Sequence, residues 1–137
     1  MLELSVITAE GTVFQGAIEF LAAPTVTGEI GILKGHHPLI AKLDVGGLRF
    51  INPDKTERTI FVAGGFLEVS NDKISVLADM AENLESIGLD QAIEARKKAQ
   101  EMLAGASDAV SAEALKEELR IIAMREKLAQ IAQFKKH

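Results

Sequence analysis

The chain has 137 residues, room for one ordinary domain or a small domain with an appendage. A formal charge of −5 and a pI near 5.2 argue against a nucleic-acid partner, which calls for a basic stripe to displace counterions. The absence of Cys removes disulfides, thiolate nucleophiles and thiolate metal sites together.

The start, Met1-Leu2-Glu3-Leu4, carries an acid where a targeting peptide carries Lys or Arg, so no such segment is expected. No stretch comes near the ~20 apolar residues of a membrane span. Residues 2–8 open with strict alternation, apolar at Leu2, Leu4 and Val6, and Glu10-Gly11 turns the chain. Further strand signals lie around Val13–Phe14, Ala17–Ala23, Ile30–Leu33, Leu39–Leu43 and Leu48–Ile51. Asn52-Pro53-Asp54-Lys55 is a turn, because Pro presets φ and Asx side chains bond back to the backbone. Glu57–Ala63 pairs back as a hairpin arm. Phe66–Ser70 and Lys73–Ala78 flank Asn71-Asp72, a two-residue loop that tolerates positive φ. Many short antiparallel strands between regular turns predict a β-sandwich or a flattened barrel.

Composition changes near residue 88. The first part holds ten of the eleven Gly and all three Pro and carries −6, whereas residues 89–137 hold eleven Ala and carry +1. The second part therefore reads as helix. Asp90 is placed to cap a helix of about 90–104, with Gly105 in a left-handed terminal turn. Ser111 is placed to cap a second of about 111–134, antiparallel to the first. The predicted class is α+β: an all-β sandwich over residues 1–85, then a two-helix hairpin over 86–137. The second helix carries two apolar seams. Leu115, Leu119, Ile122 and Ala129 form one, and Ile121, Met124, Leu128 and Ile131 the other. One helix covers only one of them; the sandwich or another chain is left to cover the second. Its Lys and Arg residues (Lys116, Arg120, Arg125, Lys127, Lys135, Lys136) read either as a solvated face or as contacts to a partner.

Catalytic constellations are thin. His36 and His37 are neighbours, and on an extended segment neighbours point to opposite sides, which makes them poor metal co-ligands. A packing or interface role fits them better than catalysis. No zinc-protease, nucleophile-elbow or calcium-loop motif is present, and the glycines at 28, 31 and 35 do not follow a phosphate-loop spacing. No catalytic residue and no metal ligand is assigned. The run Gly28-Glu29-Ile30-Gly31-Ile32-Leu33-Lys34-Gly35-His36-His37-Pro38-Leu39 stands out as a glycine-bent corner or a fixed contact loop that presents Glu29 and His36.

That run resembles the signature of the epsilon subunits of F-type ATP synthases, which correspond to delta in mitochondrial naming. Val62-Ala63-Gly64-Gly65-Phe66-Leu67-Glu68-Val69, Val76-Leu77-Ala78-Asp79-Met80-Ala81-Glu82 and the Leu89-Asp90 helix opening are similar to that family as well. The resemblance implies a ten-stranded sandwich with a helix pair in the rotating central stalk, without an active site of its own. It implies contact with the gamma subunit over a sandwich face and the helices, and contact of Glu29 and His36 with the polar loops of the c-subunit ring. It further implies helices that lie folded or extend toward the alpha and beta subunits, where they restrain ATP hydrolysis. Among the basic residues read on the second helix, Arg120, Arg125 and Lys127 are the candidates to meet an acidic loop there. The implied location is peripheral, on the cytoplasmic side of a bacterial inner cell membrane.

One departure bears on cofactors. Several bacterial relatives bind ATP through a Leu/Ile-Asp-x-x-Arg-Ala motif, but Ile93 stands here where the Arg belongs. Glu82, Asp90 and Arg96 are the nearest equivalents, and a missing cation toward phosphate is not made good by Ile. No cofactor is expected. The competing reading is a stand-alone sandwich that binds a ligand or partner, a role for which the chain offers no Trp or Tyr.

Overall fold

The computed structural model describes residues 1–135; Lys136, among the basic residues read on the second helix, lies outside them. Ten strands are formed: β1 Leu2–Thr8, β2 Gly11–Ile18, β3 Phe20–Thr25, β4 Gly28–Ile32, β5 Leu39–Lys42, β6 Val45–Ile51, β7 Glu57–Ala63, β8 Gly65–Ser70, β9 Lys73–Ala78 and β10 Ala81–Asn83. A single 3₁₀ turn, Leu84–Ser86, precedes helices α1 Leu89–Ala104 and α2 Ala109–Lys135. The chain divides into two compact units, Met1–Asn83 and a helical unit that opens at Leu84.

The strands make two five-stranded sheets, in the orders β2-β1-β9-β8-β5 and β10-β7-β6-β3-β4. Alternation builds the core: β1, β8 and β9 bury every second residue and point them at the other sheet. Leu4, Val6, Leu21, Leu48, Phe50, Ile60, Leu67 and Val76 are among the residues that meet between the sheets. Each large side chain so buried contributes about 1.5–3 kcal/mol. Of the two alternatives, sandwich and flattened barrel, the sheets form a sandwich with one closed corner. There Val26 N–H donates to the Lys42 carbonyl at 3.1 Å, and Thr25 bridges Leu43.

Several expectations change. The β1–β9 pair is parallel, Leu4 opposite Ile74, in a fold otherwise antiparallel. Alternation alone does not carry strand direction. The run Ala17–Ala23 breaks at Glu19, where the chain leaves the first sheet for the second, and Lys55 holds the Glu19 carboxylate at 2.6 Å. The helix caps also differ. Asp90 sits inside the first turn of α1, where its charge suits the helix dipole, and the capping position is Gly88 with no side-chain bond. Gly105 ends α1 at φ −91°, outside the left-handed region. Asp108, not Ser111, caps α2: its carboxylate accepts from the Ser111 N–H at 2.7 Å and from the Ser111 hydroxyl at 3.1 Å. These bonds favour the ionised form and hold the Asp108 carboxyl below its ordinary value. Asn71 and Asp72 take φ of 50° and 60°, the left-handed turn the sequence calls for.

Strand directions sort the connections to two ends of the sandwich. One end carries the chain start, the β4–β5 loop (33–38), the β6–β7 turn (52–56) and the Asn71-Asp72 turn. The other carries the turns at 9–10, 26–27, 43–44, 64 and 79–80.

Candidate functional site

The β4–β5 loop is held from below. Gly35, at φ +84°, donates its N–H to Asp72 Oδ1 at 2.7 Å, and His36 N–H donates to the Leu33 carbonyl at 3.1 Å. Asp72 accepts at its own carbonyl from Glu3 N–H at 2.9 Å, so one residue ties the loop, the β8–β9 turn and the start of β1. His36 is half-buried, and its Nδ1 lies 2.7 Å from the His37 carbonyl. A carbonyl only accepts, so Nδ1 carries the proton. Leu33, Lys34 and His37 are exposed on the outer side of this loop.

Glu29 and His36 do not share that loop. Glu29 is the second residue of β4, opposite Pro24, and the rest of β4 separates it from His36. Its carboxylate accepts from Arg49 Nη2 at 3.0 Å, and Arg49 also reaches Glu57 at 3.8 Å. This exposed cluster on the second sheet contributes little to stability. It fixes where the Glu29 charge stands.

The three cations read on α2 do not converge. Arg120 and Lys127, seven residues apart, share a face, whereas Arg125 lies about 140° around the helix from Arg120. Arg120 pairs with Glu117 at 3.5 Å, Arg125 is half-buried and Lys127 is exposed. Arg96 is engaged by α2, where its Nε donates to Glu126 Oε2, while its Nη1 donates to Gln100 on α1 at 3.0 Å. Asp90 is exposed and Glu82 half-buried on β10, opposite Phe61. Among the described residues, no three His, Asp or Glu side chains are grouped to hold a metal. Sequence reasoning missed Asp72, Asp108 and Glu126. Asp72 and Asp108 have local signals in their turn and pre-helix positions; Glu126 has none.

Asp72→Ala is expected to free the loop and, because Asp72 sits at φ 60°, also to weaken the β8–β9 turn by about 1 kcal/mol. Loss of this exposed, charge-assisted bond costs about 1 kcal/mol, so the Gly35 amide should exchange several-fold faster by NMR. Asp72→Asn keeps an acceptor oxygen and should restore most of the protection.

Comparison with known proteins places this geometry in a family. Residues 1–84 match the beta-sandwich domain of the ATP synthase delta/epsilon chain. The ATP synthase epsilon chain of Psychrobacter cryohalolentis is 38% identical over 136 residues, 99% of this chain and 95% of that one. That of Carboxydothermus hydrogenoformans is 47% identical over 103 residues, 75% of this chain and 76% of that one. Among solved structures, a chain of the Euglena gracilis mitochondrial ATP synthase assembly of OSCP, F1 and c-ring superposes with a TM-score of 0.81 at 20% identity, covering 92% of this chain and 79% of that one. A chain of the Tetrahymena thermophila central stalk and c-ring gives 0.65 at 14% identity, covering 93% and 96%. Those two share the fold. The sandwich match and the relatives, one of them matched over nearly its whole length, make this chain a member of the ATP synthase delta/epsilon family.

Proposed function

We propose that the chain is a non-catalytic central-stalk subunit of an F1Fo ATP synthase. It couples ion flow through the c ring to ATP synthesis, and through α1 and α2 it restrains ATP hydrolysis. The observation that supports this role is likeness along essentially the whole chain, sandwich and helices alike, to a bacterial epsilon chain. In this role the sandwich binds the gamma subunit. His36 on its tied loop and Glu29 on β4 meet the c ring, as two contacts and not one. In an extended state, Arg120 and Lys127 on one face of α2 and Arg125 on another meet the alpha and beta subunits through charge-assisted bonds.

The chain works peripherally, on the cytoplasmic side of a bacterial cell membrane. No helix among the described residues is long and apolar enough to cross a membrane. The role needs no bound nucleotide: Arg96 already holds a carboxylate, and Ile93 offers no charge to phosphate.

The test is reconstitution of a synthase stripped of this subunit. The whole chain should restore ATP-driven ion pumping and lower free hydrolysis. A chain ended after Asn83 keeps every residue of the sandwich core and should restore pumping without the restraint. A whole chain that neither binds the stripped complex nor changes its pumping would refute the role.

A further inference from the structure

The face of α1 that meets α2 is built around alanine. Ala92 and Ala99 are buried and Ala95 is half-buried, so the most enclosed positions of α1 are methyl groups at helical spacing, with the larger Leu89, Ile93 and Leu103 only half-buried around them. From α2, Leu119 and Ile122 are half-buried and Ala129 is buried. Into the same helix pair α2 sets Glu126, 7% exposed and the one charged residue in the buried class among those described. A carboxylate taken from water is costly unless it is paired and hydrogen-bonded.

Its partner comes from the other helix. Arg96 Nε donates to Glu126 Oε2, and Gln130, one turn along α2, donates to the second carboxylate oxygen at 3.4 Å. Gln100, one turn along α1, accepts from Arg96 Nη1. A chain of four polar side chains therefore crosses the contact between the two helices.

We propose that Arg96–Glu126 is a register lock that holds the helical hairpin closed. Sliding α2 by one turn, about 5.4 Å, would exchange one alanine for another at the buried positions of α1, which discriminates weakly between registers. It would also leave Glu126 buried without Arg96. Opening the hairpin, by contrast, returns both charges to water. The pair thus penalises closed but misaligned states and leaves two favourable states, aligned and open, with the balance set by how well Arg96 is kept on Glu126. A buried polar pair that fixes register is a well-attested use of such costly groups. The geometry stands apart from the proposed role; the regulatory consequence rests on it, since the lock sets how often α2 is released to restrain hydrolysis.

The test uses the full chain as Arg96→Gln, as Glu126→Gln, and as the exchanged pair Arg96→Glu with Glu126→Arg. Amide exchange of α1 and α2 reads hairpin opening, and β6 serves as the internal reference. Arg96→Gln strands the carboxylate and should speed helix exchange at least tenfold, less than breaking a wholly buried pair would because the Arg96 side chain is 29% exposed. Glu126→Gln keeps an acceptor for Arg96 and should have a smaller effect. The exchanged pair should recover much of the protection. Arg96→Gln helices within about twofold of the parent, or an exchanged pair no better than Arg96→Gln alone, would overturn the lock. In the reconstituted complex, Arg96→Gln should deepen the restraint on hydrolysis. Faster helix exchange with unchanged hydrolysis would uphold the lock and refute the restraining role of the helices.

Discussion

Gly65→Ala is expected to be among the most damaging single changes in the sandwich, with loss of at least about 4 kcal/mol, a size reserved for changes the structure cannot absorb. Gly64-Gly65 is where the chain passes from β7 in the second sheet to β8 in the first. Gly65 adopts φ +115°, and a Cβ there would lie 2.1 Å from the Leu77 carbonyl oxygen and 2.7 Å from Ala78 Cα. Both obstacles are backbone of β9, the strand that pairs with β8 at this position, so relief requires the ladder itself to part. Gly64→Ala is the control. Its φ of +80° is also left-handed, but the Cβ meets only the Asp79 carboxylate at 2.6 Å, the far end of a side chain that can turn away. That change should cost about 1–2 kcal/mol. Against a total stability of about 5–15 kcal/mol, urea unfolding should find a modestly lowered midpoint for Gly64→Ala and a far lower one, with little stability left, for Gly65→Ala. Equal midpoints for the two would contradict the assigned crossing.

Features fixed by neighbouring residues are legible in the sequence; those fixed by distant ones are not. Strand positions were legible because a half-buried strand must alternate, and β1, β8 and β9 do so without exception over their buried positions. The Asn71-Asp72 turn was legible because few residue pairs accept two positive φ angles. Features that depend on distant residues were not. The Asp72 carboxylate finds its donor 37 positions away, and Arg96 finds Glu126 30 positions away. Neither pairing leaves a mark in local spacing, and Glu126 reads in sequence as one more solvated acid on a charged helix. The same holds for β1 lying parallel to β9. The capping errors have a different origin. Asp90, Gly105 and Ser111 are sound choices by residue type, but Asp108 stands three residues before Ser111 and offers the stronger acceptor. Helix ends are decided by such near ties. Glu29 stands apart from His36 because the first part of the glycine-rich run is strand β4, and residue spacing alone does not show how far a strand carries its ends apart.

Phe50→Ala should cost about 3–5 kcal/mol, the usual range for truncating a buried aromatic ring. Phe50 on β6 is fully buried. Its ring centre lies 4.6 Å from that of Phe14 on β2, tilted by 46°, so the two rings join opposite sheets in a favourable aromatic geometry. The Arg58 guanidinium carbon stands 5.4 Å from the Phe14 centroid and 5.8 Å from that of Phe50. Arg58 Nη2 donates to Asn83 Oδ1 at 2.7 Å, which fixes the cation over both faces. Truncating Phe50 thus leaves a cavity and also removes half of the surface on which Arg58 rests. Phe66, on the same type of strand and of the same chemistry, is 56% exposed, and Phe66→Ala should change stability by no more than about 0.5 kcal/mol. Arg58→Met, which keeps apolar length without charge, separates the two contributions. If cation and ring act together, its loss combined with that of Phe50 should fall short of the sum of the two single changes. Strict additivity in denaturant unfolding would show that the cavity accounts for the whole effect and that Arg58 does not draw its stability from the Phe50 ring.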